Sequence, residues 1–210
     1  LREKMRERIA NPAVADLLMP SFPVFTKRLI GDNGYLETFA RSNVSLVDIR
    51  RSGIERITPN GLRAEGRDYE FDVIVYATGY DALSGAMMHQ RIIGRSGEAI
   101  QRHWDGGVRS RFGMLSRGFP NMFMLCGPGS TIPLFIPYFL CEEQLGWIGR
   151  CIDYMDTTGK RTIEPTPDAE NDWGEQCSAT LNMTLFPQTS SWYVGSNVPG
   201  KPRAGLAYFG

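Results

Sequence analysis

An almost uninterrupted apolar run, FDVIVYA at residues 71–77, limits the folds open to this chain more than any other feature. Strands that are buried on both faces read as continuous apolar runs, and they are typical of parallel sheets covered by helices. The run ends in TGYD, a turn at residues 78–81. Because open α/β sheets bind ligands at the carboxyl ends of their strands, we expect Thr78, Gly79 and Asp81 to lie beside a ligand. A plain strand-ending turn is the alternative.

Weaker patterns predict other extended segments around this run. Strands are expected at residues 44–49, 54–58, 61–64 and 121–126, and residues 91–100 have the pattern of a hairpin. The sequence PNG at residues 59–61 would form the turn between the second and third of these strands. The fourth strand would end in GPGS at residues 127–130, which is a second turn at a strand end.

Two amphipathic helices are expected in the second half of the chain. Apolar residues recur with helical spacing between Leu145 and Met155, and Gly159 would end that helix. A later helix would begin with Thr166 as its N-cap, followed by a proline at the first helical position. The buried face of this later helix would carry Trp173, Cys177 and Leu181.

Charge and composition exclude several functions. The 23 Lys and Arg residues balance the 23 Asp and Glu residues, so a nucleic-acid partner or a basic membrane-binding surface is not expected. The longest apolar stretch, residues 132–141, is far shorter than the roughly 20 residues of a membrane span. The four cysteines lack CxxC spacing, which favours reduced thiols and a cytoplasmic location. His89 and His103 do not have ligand spacing, and no metal is predicted.

Four stretches of the chain resemble the carboxyl-terminal part of flavin-dependent Baeyer–Villiger monooxygenases. They are residues 25–28 with 32–35, residues 72–81, residues 118–121 with 127–130, and residues 185–187 with 191–203. Many flavoproteins share the Ala-Thr-Gly of the second stretch, whereas the last stretch is long and unusual. The resemblance implies a partial α/β two-dinucleotide-binding flavoprotein. Residues 1–80 would end the NADP-binding domain with its helical insertion, and residues 81–210 would form the carboxyl-terminal part of the FAD-binding domain.

The resemblance also implies an activity with FAD and NADPH as cofactors. NADPH would reduce the flavin, O2 would add to the flavin C4a carbon, and the resulting peroxide anion would convert a small hydrophobic ketone into an ester or lactone. Arg28 matches the arginine that similar enzymes place beside the flavin, where a permanently charged guanidinium stabilises anionic oxygen. Lys27 matches a lysine near the 2′-phosphate of NADPH. Without the resemblance, this basic pair would be interpreted as a solvated surface feature.

The resemblance assigns the remaining candidate residues to cofactor and substrate. Trp192 would contact the nicotinamide nucleotide from a mobile loop, with simple packing of the tail as the alternative. The segment after GPGS would line the substrate cavity through Ile132, Leu134 and Phe135, although a plain core is an equal alternative. Here the chain departs from the family pattern, because Pro133 and Pro137 lack the backbone N–H that could donate to the flavin.

Neither Gly-rich GxGxxG turn of such an enzyme occurs in this sequence, and the family fingerprint between them is missing as well. We therefore expect both turns upstream, and we expect residues 1–210 alone neither to retain FAD nor to turn over. The alternatives are a monooxygenase that oxidises nitrogen or sulfur, a flavin disulfide reductase and an inactive nucleotide-binding module.

Overall fold

The computed structural model describes residues 2–130, 136–205 and 208. The chain divides into two compact units. The first comprises the residues up to Phe22 together with Leu29–Gly79, and the second comprises Pro23–Arg28 together with the residues from Tyr80 onward. The assignment of residues 1–80 and 81–210 to NADP- and FAD-binding domains stays a prediction.

Three short helices form the core of the first unit. They are α1 (Arg2–Arg8), α2 (Pro12–Leu18) and α3 (Tyr35–Thr38). Asn11 caps α2, because its Oδ1 accepts a hydrogen bond from the N–H of Ala13 at 3.0 Å. The helices bury a small apolar cluster that consists of Ile9, Ala15 and Leu36.

The first unit also holds a three-stranded antiparallel sheet. Its strands are β1 (Ile54–Thr58), β2 (Gly61–Ala64) and β3 (Arg67–Glu70), in the order β1-β2-β3. The turn predicted at residues 59–61 is confirmed, because Thr58 pairs with Gly61. A Cβ on Gly61 would lie 1.9 Å from the carbonyl oxygen of Tyr69, so this close approach of β2 and β3 requires glycine.

The strand predicted at residues 71–77 is wrong for the part of the chain that is described. This segment has no ladder partner there, and Val73 and Val75 are 75% and 81% exposed. A doubly buried strand needs a neighbouring strand and covering helices, which these residues do not supply. The predicted strands at 44–49 and 121–126 do not form either. The backbone N–H groups of Asn121 and Met124 donate to different segments, at Ile163 and Met114, so no continuous ladder arises.

Helices are the main regular elements of the second unit. It contains α4 (Gly85–Met88), α5 (Ile100–His103), α6 (Pro137–Thr158) and α7 (Pro167–Asn182), followed by 3-10 turns at Phe186–Gln188 and Trp192–Val194. The predicted hairpin at residues 91–100 is confirmed by an antiparallel bridge between Ile93 and Ala99. One apolar cluster joins Ile100, Trp104, Phe119 and Met124. Within the described residues, no helix has the length and apolar character needed to cross a membrane.

The end of α6 agrees with the prediction, but its buried face does not. Gly159 ends the helix with φ +66°. Leu145 and Ile152, which were expected to be buried, are 53% and 47% exposed, and the buried residue of this helix is Gln144. Periodicity predicts which residues share a face, but it cannot show whether another element covers that face.

The predicted start and buried face of α7 are confirmed. The Oγ1 of Thr166 accepts a hydrogen bond from the N–H of Ala169 at 3.2 Å. Trp173, Cys177 and Leu181 are buried.

Replacing Thr166 with alanine is expected to lower the free energy of unfolding by about 1 kcal/mol, because one helix N–H loses its acceptor. Thr166→Ser is the matched control, since it keeps the hydroxyl and should stay within about 0.5 kcal/mol of the parent. Chemical denaturation of both variants measures the effect. Equal losses in the two variants would contradict a capping role.

Candidate active site

A tight turn in the second unit presents the predicted basic pair. Thr26 is buried, and both its N–H and its Oγ1 donate to the carbonyl oxygen of Pro23, at 3.3 and 2.6 Å. Phe25 has φ +66°, a left-handed conformation that is strained for a side chain of this size. This turn places Lys27 and Arg28 on the surface directly after a buried anchor.

The guanidinium of Arg28 has a distinctive environment. The side chain is exposed and forms no ion pair with any residue that the structure describes. Its charge acts on Tyr193, which is 2% exposed. Burial raises the pKa of the Tyr193 phenol, while the positive charge of Arg28 acts in the opposite direction. The predicted catalytic arginine thus has an electrostatic effect on the residue that follows Trp192.

Trp192 lies in a 3-10 turn at Trp192–Val194. Its ring stacks on Tyr193, with ring centroids 3.7 Å apart, and packs against a core cluster formed by Leu181, Phe186, Tyr193 and Val194. The side chain is only half-buried, and its indole N–H has no hydrogen-bond partner among the described residues. The ring thus packs in the tail while the N–H remains available to a ligand.

Hydrogen bonds that the sequence did not reveal brace this turn. Three hydrogen bonds join Ser191 and Ser196. The N–H of Ser191 donates to Oγ of Ser196 at 2.9 Å, and this Oγ and the N–H of Ser196 donate back to the Ser191 carbonyl at 3.1 and 3.2 Å. Nη2 of Arg203 donates to the carbonyl oxygens of Pro187 and Thr189, each at 2.7 Å. Arginine and serine are common surface residues, so no local pattern marked these roles.

The residues around the predicted Thr-Gly-Tyr-Asp turn fall into both units. Thr78 and Gly79 are exposed in the first unit, and no atom lies within 4 Å of the position of a Cβ on Gly79, whose φ is +90°. Their backbone is therefore open to a ligand. Asp81 belongs to the second unit, where its carboxylate forms an ion pair with Lys201. A role of Thr78, Gly79 or Asp81 toward a cofactor stays a prediction.

The predicted substrate residues Ile132, Leu134 and Phe135 lie outside the described residues. The turn before them is tightly packed. A Cβ on Gly127 would lie 2.3 Å from the carbonyl oxygen of Gly113, so two backbone segments touch there. Nε1 of Trp173 donates to the Gly129 carbonyl at 3.1 Å.

Two cysteines meet at this end of the second unit. The sulfur atoms of Cys126 and Cys141 lie 3.1 Å apart, and burial raises the pKa of the Cys126 thiol to about 11. The four cysteines form no disulfide bond with one another. The described residues include no group of three or more His, Cys, Asp or Glu side chains that could hold a metal ion.

No family model matches the chain, but individual proteins do. Acetone monooxygenase (methyl acetate-forming) of Gordonia sp. (strain TY-5) is 40% identical over 213 residues, which cover 100% of this chain and 40% of the relative. A Baeyer-Villiger monooxygenase of Pseudooceanicola batsensis is 35% identical over 209 residues, which cover 99% of this chain and 38% of the relative. The chain thus spans about two fifths of the length of the curated relatives it matches.

Solved structures agree with these relatives. The crystal structure of OTEMO in complex with FAD and NADP superposes with a TM-score of 0.90 at 36% sequence identity. The superposition covers 99% of this chain and 38% of that one. The backbone of both units therefore follows a known flavoprotein.

Proposed function

This chain belongs to the Baeyer–Villiger monooxygenase family, and we propose that it serves the insertion of one oxygen atom of O2 next to a ketone carbonyl. The product would be an ester or a lactone. NADPH would be the reductant and FAD the group that activates oxygen. Related proteins are named for their action on acetone, cyclohexanone and cyclopentanone, which supports a ketone substrate here.

The observation that carries this proposal is the guanidinium of Arg28. It is exposed, it has no ion-pair partner among the described residues, and its charge acts on Tyr193, the residue after Trp192. An unpaired guanidinium offers five N–H donors and a charge that does not titrate near neutral pH. These properties suit an oxyanion that develops during a reaction.

Each unit contributes groups whose chemistry would suit the two cofactors. The indole N–H of Trp192 is an open donor, Lys27 offers an ammonium group to a phosphate, and Gly79 leaves its backbone open to close approach. When bound, FAD would supply the two-electron and oxygen chemistry that no side chain of the chain can supply. Lys27 would hold the 2′-phosphate that distinguishes NADPH from NADH, and Trp192 would donate to the nicotinamide nucleotide.

Arg28 would act on the substrate. As an oxygen nucleophile attacks the ketone carbon, negative charge develops on the carbonyl oxygen, and the guanidinium would donate hydrogen bonds to it. The substrate pocket would be apolar through Ile132, Leu134 and Phe135, so the ketone would be hydrophobic. Four cysteines that form no disulfide bond with one another fit a reducing compartment, and a cytoplasmic location is part of the same proposal.

The proposal is tested by incubating the complete FAD-loaded enzyme with NADPH, O2 and a panel of ketones, with a thioether as the comparison substrate. We expect one molecule of ester or lactone for each NADPH consumed. Oxidation of the thioether without any ketone product would favour the nitrogen- and sulfur-oxidising alternative. NADPH consumption that yields neither product would contradict both.

Trp192 provides a separate prediction. Replacing it with phenylalanine keeps an aromatic ring on Tyr193 but removes the N–H donor, so the dissociation constant of NADP+ is expected to rise about tenfold, the effect of one hydrogen bond worth roughly 1.4 kcal/mol. Fluorescence or calorimetric titration measures this constant.

The control for this change is Trp147→Phe, which alters a tryptophan of α6 and should leave NADP+ binding within about twofold of the parent. If Trp192→Phe also leaves the affinity unchanged, Trp192 only packs the tail.

A further inference from the structure

A long-range ion pair ties the tail of the chain to the start of the second unit. The Nζ of Lys201 binds the Oδ1 of Asp81 and also donates to the carbonyl oxygen of Ala82 at 3.1 Å. The Lys201 side chain is 12% exposed and that of Asp81 is 30% exposed. An ion pair shielded to this degree has a stronger effect than one on an open surface, because solvent screens it less.

A second contact supports the same junction. The side-chain amide of Asn197 donates through Nδ2 to the carbonyl oxygen of Tyr80 at 2.9 Å. Asn197 and Lys201 thus contact three consecutive residues, Tyr80, Asp81 and Ala82, from one short segment of the tail.

The local sequence shapes this segment for the contact. The N–H of Lys201 donates to the carbonyl of Val198 at 3.3 Å, which closes a four-residue turn. Pro199 and Gly200 occupy its central positions, and Gly200 has φ +77°. Proline followed by glycine with positive φ is typical of a type II turn, in which few other conformations are open to the chain. Lys201 is therefore presented from a stiff support.

Short backbone segments connect the turn that carries Trp192 to the turn that ends at Lys201, and hydrogen bonds hold these segments in place. The N–H of Ser196 donates to Ser191, and the N–H of Ala204 donates to Val194, at 3.2 and 3.3 Å. The residues on both sides of Lys201 are thus bonded to the turn that carries Trp192. Releasing Lys201 would free the segment between these two sets of hydrogen bonds.

We propose that Lys201 is a positioning residue: through Asp81 it holds the tail in the conformation that presents Trp192, so that the pair sets how strongly the nicotinamide nucleotide binds. This inference rests on the proposed function for the role of Trp192. It also changes the interpretation of Asp81, whose carboxylate would bind the protein's own lysine rather than a ligand.

The first test is hydrogen–deuterium exchange on the complete FAD-loaded enzyme. Lys201→Met and Asp81→Asn should each speed the exchange of the amides of Gly195, Ser196 and Lys201 by about tenfold, the effect of losing one charge-assisted hydrogen bond. Lys4→Met is the matched control, because Lys4 is exposed on α1, and it should leave these rates unchanged. Unchanged exchange rates in both test variants would show that the ion pair of Lys201 and Asp81 does not hold the tail in place.

The second test is the affinity for NADP+, measured by titration without turnover. The two test variants should raise the dissociation constant about 3- to 10-fold, because a smaller fraction of the molecules holds the binding conformation. Lys201→Arg should restore most of the affinity. The double variant that exchanges the two charges, Asp81→Lys with Lys201→Asp, should bind NADP+ more tightly than either single variant.

The outcomes test the positioning role of Lys201 separately from the proposed function. Faster tail exchange with unchanged NADP+ affinity and an unchanged KM for NADPH would overturn the positioning role. If the Lys201 and Asp81 variants bind NADP+ more weakly as predicted, but the parent enzyme oxidises no ketone, the proposed function fails while the positioning role stands. A purely structural role for Lys201 would lower kcat and thermal stability together without changing the KM for NADPH, whereas positioning predicts that the KM for NADPH rises.

Discussion

Replacing Arg28 with alanine is expected to lower kcat for ketone oxidation by about 10²- to 10³-fold, the usual loss when one donor to a developing oxyanion is removed. The side chain is exposed and has no ion-pair partner among the described residues, so its loss should change the free energy of unfolding by less than about 0.5 kcal/mol. The measurement is the rate of ester or lactone formation by the complete FAD-loaded enzyme, with a melting curve of the same sample.

Two further variants define what this arginine contributes. Arg28→Lys keeps the positive charge but loses the planar fork of donors, so it should recover only part of the activity. Arg41→Ala removes another exposed arginine and should leave the rate within about twofold of the parent. Ketone oxidation that survives in Arg28→Ala at near-parent rate would remove the central support of the proposed function.

The same variant has a spectroscopic consequence. The charge of Arg28 lowers the pKa of the buried Tyr193 phenol, against the upward effect of burial. Removing the charge destabilises the phenolate, so the pKa of Tyr193 should rise further in Arg28→Ala. An ultraviolet titration of tyrosinate, compared between Arg28→Ala and Arg41→Ala, detects this change independently of activity.

Replacing Glu170 with alanine is expected to destabilise the second unit strongly. Glu170 is 2% exposed, and its Oε1 accepts hydrogen bonds from the N–H of Arg117 at 2.8 Å and from Oγ of Ser116 at 3.2 Å. Its Oε2 lies 3.3 Å from Nε2 of His103. Alanine would remove the acceptor of the Arg117 N–H and the partner of the His103 ring, at about 1 to 3 kcal/mol each, whereas Ser116 keeps the Arg109 carbonyl as an acceptor at 2.9 Å. We therefore expect a total loss of roughly 2 to 5 kcal/mol.

Denaturant unfolding followed by tryptophan fluorescence measures this loss, because Trp104 lies in the same region and donates to Ser116 Oγ at 3.3 Å. Glu170→Gln keeps an acceptor oxygen and the same volume, so it should lose less than the alanine variant. Glu175→Ala changes an exposed glutamate of the same helix and should cost less than about 0.5 kcal/mol. Similar losses in Glu170→Ala and Glu175→Ala would show that the buried hydrogen bonds contribute little.

Local patterns predicted part of the fold correctly. The turn between β1 and β2, the cap and buried face of α7 and the glycine at the end of α6 all agree with expectation. The turn, the cap and the glycine depend on residues within a few positions of one another, where backbone geometry and side-chain hydrogen bonds act directly.

Predictions of burial were less successful, because burial requires a second segment of the chain to cover the predicted one. Residues 71–77 have the composition of a buried strand, but burial depends on neighbouring strands that the described residues do not provide. The apolar face of α6 has the right periodicity, yet Leu145 and Ile152 remain exposed because nothing described covers them. The composition of a segment indicates how much apolar surface it has, but it does not indicate which other segment packs against that surface.

From the amino-acid order alone, the family, the candidate arginine and lysine, and the tryptophan of the tail could be recognised. The pairing of Asp81 with Lys201, 120 positions away, and of Glu170 with His103, 67 positions away, could not. A local motif consists of residues that are close together in the sequence, so it can be recognised from the sequence alone. A contact between distant residues exists only after the chain has followed a particular path through space, and many paths are compatible with the same local preferences.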